Sequence, residues 1–136
     1  MNLKELYQEI ILEHGNNPLC GDNVHIYLKL NDNNKVEDIS FEGNGCAITM
    51  ASASIMTDLV RGKEEKEVKE IVTDFLEMIK EKDELSTQLL NEDEKTKLMC
   101  LSGVKQYPMR VKCATLSWHT LTSAMNNSQE IASTED

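Results

Sequence analysis

The chain has 136 residues, a formal net charge of −10, 40% hydrophobic residues and 28% charged residues. That length suits one domain, with a core large enough to fold without disulfides. The acidic balance disfavours nucleic acid, whose phosphates require a basic face, and an anionic membrane surface; no apolar run approaches the roughly 20 residues of a membrane span.

Residues 2–14 place Leu3, Leu6, Tyr7, Ile10 and Ile11 at spacings of three and four and predict a short amphipathic helix. The stretch lacks the apolar core and small-residue cleavage site of a signal peptide, so the expected location is cytoplasmic. A turn is expected over Gly15 to Pro18. Residues 24–30, VHIYLKL, alternate apolar and polar side chains and predict a half-buried strand. NDNN at 31–34 is a turn by composition, and 35–41 a weaker second strand, giving a hairpin. EGNGC breaks that strand at Gly43 and Gly45. From Ala47 the small residues of AITMASASIMTDLV predict a tightly packed helix ending near Gly62.

The clearest helix carries Val68, Ile71, Val72, Phe75, Leu76 and Ile79 on one stripe. A polar connection leads to Asn91, an expected helix cap with Glu94 at the capping-box position. Residues 103–108 read as a loop, and Pro108 as the opening of a last helix running to about Met125. The expected fold is α+β: a short antiparallel sheet packed against several helices, in one domain over 1–136, with 126–136 a disordered tail.

Four cysteines are present: Cys20, Cys46, Cys100 and Cys113. In a reducing compartment they are metal ligands, reactive thiols or core residues rather than disulfides. Cys20 and Asp22 flank Gly21, which lets the backbone bend until both side chains meet one ion. Cys46 stands at a helix mouth, where a thiolate is stabilised. Cys113 lies in the first turns of the last helix, three residues after Arg110, a cation placed to lower a thiol pKa. Three thiolates and a carboxylate make a tetrahedral zinc set. The spacing has no CxxC pair and leaves free core cysteines as the other reading. Cys100, among apolar neighbours in KLMCLSG, reads as a buried core thiol. His119 is turned away from the face of Cys113, and His14 and His25 read as structural.

NPLCGD, FEGNGCAITMASASIMT, GKE and LSGVKQYPMRVKCATLSW together resemble the SufU branch of the IscU/NifU-like iron–sulfur assembly family, over about residues 3 to 125. The resemblance implies one metal ion held by Cys20, Asp22, Cys46 and Cys113, with Arg110 as a neighbouring arginine and Cys100 outside the site. IscU-type members have a histidine just before the third cysteine and a Pro-Pro chaperone motif. Here that neighbour is Lys112 and no Pro-Pro occurs. SufU-like members carry an insertion between the second and third cysteines, and residues 81–98 fit it. The branch implies zinc and a sulfurtransferase-type role: acceptance of sulfur from a pyridoxal-phosphate cysteine desulfurase of the SufS kind, for downstream iron–sulfur assembly machinery. Cys20, on its Gly-flanked loop, is the expected acceptor. The alternatives are a scaffold carrying a [2Fe–2S] cluster on Cys20, Cys46 and Cys113, and a structural zinc module. The resemblance departs at one place. Family members have a longer segment before NPxCGD, whereas here GNNPLCGD follows His14 almost at once, which puts a sheet-edge strand and part of a desulfurase docking surface in question.

Overall fold

Alternation sets the sheet. In Asp22–Leu30 (β2), Val24, Ile26 and Leu28 are fully buried while His25, Tyr27 and Lys29 are half-buried, as a strand with one face on a core requires. The computed structural model describes residues 10–17, 21–82 and 84–133, with side chains over 21–82 and 84–126. The NDNN turn closes through the Asn31 side chain, which accepts from the Asn33 and Lys35 amides at 2.8 and 3.0 Å. Val36–Asn44 (β3) then returns antiparallel to β2 and completes the expected hairpin. β3 is not broken at Gly43, which pairs with Val24. Gly43 adopts φ +152, and a Cβ there would stand 2.2 Å from the Asn23 carbonyl oxygen, so close approach inside the strand explains the glycine.

The helix expected over 2–14 is corrected where it is described. Ile10–Asn17 forms a strand (β1) pairing antiparallel with β2, from Ile10 opposite Lys29 to Asn17 opposite Asp22. Residues 1–9 lie outside the described residues. A helical period in a short segment is a weak preference, and pairing along a whole neighbouring strand overrides it. The turn expected from Gly15 is strand as far as Asn17, and Pro18 lies outside the described residues. The sheet edge that the short connection put in question is therefore occupied, by β1, in the order β1-β2-β3.

Ala47–Val60 (α1) stops just before Gly62, whose φ of +87 suits a chain leaving a helix. Glu65–Lys80 (α2) buries Val68, Ile71, Val72, Phe75 and Ile79 of the predicted stripe, while Leu76 is half-buried against the same core. Asn91 caps Glu92–Met99 (α3): its side chain accepts from the Glu94 amide at 2.8 Å, and the Glu94 carboxylate accepts from the Asn91 amide at 2.9 Å. A 3-10 turn, Cys100–Val104, takes part of the expected loop. Pro108–Ser133 (α4) opens at the predicted proline but continues past Met125, so helix covers most of the stretch expected as a tail. Helix α4 lies against β1 and β2, and also against α1 and α2. The α+β class is as expected.

Cys100 requires a correction. It is exposed, because Leu98 and Leu101, three apart on one helical face, take the core positions around it.

The polar connection after α2 is organised by Asp74, whose side chain is 7% exposed. Its carboxylate accepts from Lys82 at 2.6 Å, from the Ser86 hydroxyl at 2.9 Å, and from the Ser86 and Thr87 amides at 2.9 Å. Burial pushes its pKa up, but the Lys82 and Ser86/Thr87 hydrogen bonds outweigh it and hold the carboxyl below its ordinary 3.8. A depressed carboxylate stabilises the fold above its unfolded pKa, and that contribution is lost as pH falls below about 3.8 through the folded value. Asp74→Ala, which strands the Ser86 and Thr87 donors, is expected to destabilise by about 3 kcal/mol in urea melts at neutral pH. The difference from the parent should shrink in acid.

Candidate metal centre

Three chain segments converge at one end of the sheet. Asp22 opens β2 directly after Gly21, whose φ of +77 turns the incoming chain, and is 5% exposed. Cys46 is the N-cap of α1, extended at φ −69 and ψ 169. Cys113 lies in the second turn of α4 and is buried. One ligand atom of each, the two sulfurs and a carboxylate oxygen, lie within 4.8 Å of one another. The α1–α4 joint that brings the cysteines together is polar. The Ser52 hydroxyl on α1 donates to the Ala114 carbonyl at 2.5 Å and accepts from Trp118 Nε1 at 2.9 Å. The residue after Cys113 is thus tied to the helix that begins at Cys46.

The Asp22 carboxylate caps α1 from outside the helix. Its Oδ1 accepts from the Cys46 amide at 3.2 Å and its Oδ2 from the Thr49 hydroxyl at 2.5 Å. Thr49 Oγ1 also stands 3.5 Å from Cys46 Sγ. Burial pushes the Cys46 thiol pKa up. The Thr49 hydroxyl and amide, the Cys113 side chain and the Ile48 amide outweigh it, and the thiol sits below its ordinary value. A helix N-terminus therefore favours the thiolate, as the sequence implied.

The donor set fits a zinc-like ion. Thiolates about 2.3 Å from zinc stand roughly 3.8 Å apart at a tetrahedral angle, so closure of about an ångström from the observed spacing suffices. Two soft sulfurs with one carboxylate suit zinc or iron better than calcium or magnesium. Cys20, the fourth expected ligand, lies outside the described residues. Arg110 is exposed, with its guanidinium 5.3 Å above the Tyr107 ring, and is not among the groups that lower the Cys46 pKa. His119 is exposed; partial burial and Lys80 hold its pKa down. Sequence reasoning missed Thr49 and Ser52. The signal for Thr49 was its position three residues after Cys46, on the same helical face. Ser52 had none beyond belonging to a run of small residues.

Residues 4–114 match the model of the NifU-like N-terminal domain family. The chain is 36% identical to the iron–sulfur cluster assembly scaffold protein IscU of Streptococcus pyogenes, over 93% of this chain and 86% of that one. It is 37% identical to the zinc-dependent sulfurtransferase SufU of Bacillus subtilis, over 88% and 89%. The alignment with the streptococcal protein runs over 143 positions but uses 93% of these 136 residues, so that relative has residues with no counterpart here. A crystal structure described as a SUF-system assembly scaffold from Fervidobacterium islandicum superposes with a TM-score of 0.71 at 37% identity, covering 84% of this chain and 79% of that one. A Brucella abortus NifU-like N-terminal domain shares the fold, with a TM-score of 0.74 at 24% identity over 88% and 78%. The matched family model, the level of identity and the shared fold agree: the chain belongs to the NifU-like N-terminal domain family of IscU- and SufU-type iron–sulfur cluster assembly proteins.

Proposed function

We propose that this protein is a zinc-holding sulfur acceptor that takes persulfide sulfur from a pyridoxal-phosphate cysteine desulfurase for iron–sulfur cluster assembly. The observation that carries the reading is the convergence of Asp22, Cys46 and Cys113 within 4.8 Å at the mouth of α1. In this reading Cys20 completes the ligand set at rest and is released as the acceptor, while Asp22, Cys46 and Cys113 retain the metal. Zinc, when bound, supplies deprotonated and protected thiolates. The Cys20 thiolate attacks the outer sulfur of the desulfurase persulfide. The sulfur–sulfur bond breaks, the desulfurase cysteine leaves as a thiolate, and Cys20 keeps the sulfur as a persulfide, with no outside oxidant or reductant. Gly21, at φ +77, separates Cys20 from Asp22 in the chain. Arg110, one helical turn before Cys113, is the cation assigned to the neighbourhood of the thiolates. A carboxylate in the set weakens the hold on a soft ion relative to four cysteines, which suits a site that must release a ligand.

A second reading, a [2Fe–2S] scaffold on the same residues, is favoured by the streptococcal relative named as a scaffold. Metal and acid-labile sulfide content of protein purified without oxygen tests both. About one zinc per chain with no sulfide supports the acceptor; iron and sulfide in equal amounts, with a coloured spectrum, supports the scaffold. Stimulation of a cysteine desulfurase is then expected from the parent and not from Cys20→Ala. Sulfur acceptance by Cys20→Ala at the parent rate would defeat the assignment, and zinc retained without any stimulation would indicate a structural module.

No helix among the described residues is long and apolar enough to cross a membrane.

A further inference from the structure

Thr49 is fully buried and spans two of the three converging groups, with its hydroxyl 2.5 Å from Asp22 Oδ2 and 3.5 Å from Cys46 Sγ. A hydroxyl carries a single proton. The Asp22 carboxylate has no proton to donate, so the Thr49 hydroxyl spends its proton on Oδ2 at 2.5 Å. The other carboxylate oxygen, Oδ1, takes the Cys46 amide at 3.2 Å. Both oxygens are therefore tethered to the first turn of α1, and the plane of the carboxylate is set. Gly45 closes the third side. A Cβ built there would stand 3.1 Å from Thr49 Cβ and Cγ2 and 3.2 Å from Asp22 Cγ, tighter than side chains ordinarily pack. The backbone of Gly45 thus lies against the Thr49–Asp22 pair, and glycine is what leaves room for it.

We infer that Thr49 is a positioning residue that makes Asp22 a one-oxygen ligand, an inference that rests on the metal-holding reading above and deepens it. Carboxylates bind metal ions through one oxygen or through both. With Oδ2 tied back to Thr49, Asp22 presents one oxygen to the cysteines, and the site closes at four ligands, the number that suits zinc. Without the tether the carboxylate is free to swing and offer both oxygens, which raises the coordination number and loosens the geometry. Groups that orient a ligand in this way typically set metal affinity by tenfold or more.

The test uses Thr49→Val, which keeps the branched shape and removes the hydroxyl, with Thr49→Ser as the rescue. Zinc affinity is measured by competition with a chromogenic chelator, and geometry by the visible spectrum of the cobalt-substituted full chain. The expected result is an affinity about tenfold weaker in Thr49→Val, loss of the intense bands of four-coordinate cobalt, and recovery of both in Thr49→Ser. If metal-free Thr49→Val does not melt cooperatively, Gly45→Ala carries the test, since its added methyl displaces the same pair and predicts the same two changes. Parent-like zinc affinity and an unchanged cobalt spectrum in the folded variant overturn the positioning role while leaving the zinc site intact. A parent protein that binds neither zinc nor cobalt overturns the zinc reading and the positioning role together.

Discussion

Removing the metal with a chelator is expected to lower the melting temperature of the zinc-loaded protein by roughly ten degrees or more. A ligand that binds only the folded chain stabilises it by about 4 kcal/mol when free ligand stands at about a thousand times its dissociation constant. In a domain of this size each kilocalorie moves the midpoint by about three to five degrees. The proposed ligands Asp22, Cys46 and Cys113 lie on β2, at the mouth of α1 and on α4, so an ion held there would cross-link segments far apart in sequence, and unfolding would have to release it. Cys113→Ser is the matched control. Serine replaces a buried thiol by a similar small group, so the metal-free variant should melt within a few degrees of the metal-free parent. Zinc should then raise the midpoint of the parent and leave the variant where it was. Equal stabilisation of both by zinc would place the ion elsewhere in the chain.

The sequence reached some parts of this architecture and not others, for physical reasons. The strand at 24–30, the stripe on α2 and the Asn91 cap were legible because each rests on local periodicity or on a hydrogen bond between near neighbours. The N-terminal segment misled because Ile10 and Ile11 serve a helical stripe and a strand equally well, and the choice lay with β2, a partner that local reasoning does not see. Cys100 misled for a related reason. Its neighbours Leu98 and Leu101 are buried, but a thiol between them on a helical turn points elsewhere. Cys46, Asp22 and Cys113 were singled out by residue type and by their places at element ends, and as a group by family resemblance. Their convergence is tertiary. It depends on Ser52 joining α1 to α4 and on Thr49 joining α1 to β2, and neither contact leaves a pattern in the chain.

That dependence gives the second large effect, Trp118→Ala. Trp118 is fully buried, and its ring stacks on Phe75 with centroids 4.3 Å apart and planes 24° from parallel. Truncating a buried tryptophan costs about 4 kcal/mol through lost apolar contact and the cavity left behind. The stacked partner adds a part of about a kilocalorie. Against a total of about 5–15 kcal/mol for a typical domain, such a loss brings the protein close to unfolding at body temperature. The change also removes the Nε1–H that donates to Ser52, on the joint holding Cys113 beside Cys46. Trp118→Phe is the milder change: it keeps an aromatic ring for Phe75 but deletes the donor and the rest of the indole. Ser52 still gives its proton to the Ala114 carbonyl, so the loss should be about 2 kcal/mol, one hydrogen bond and a small cavity. Urea melts of the metal-free proteins should therefore order parent, Trp118→Phe and Trp118→Ala by falling midpoint. Zinc affinity should fall in the same order if the α1–α4 joint sets the spacing of the two sulfurs. An affinity unchanged in Trp118→Ala that remains folded would show that Cys46 and Cys113 are held together by the first turns of their helices alone.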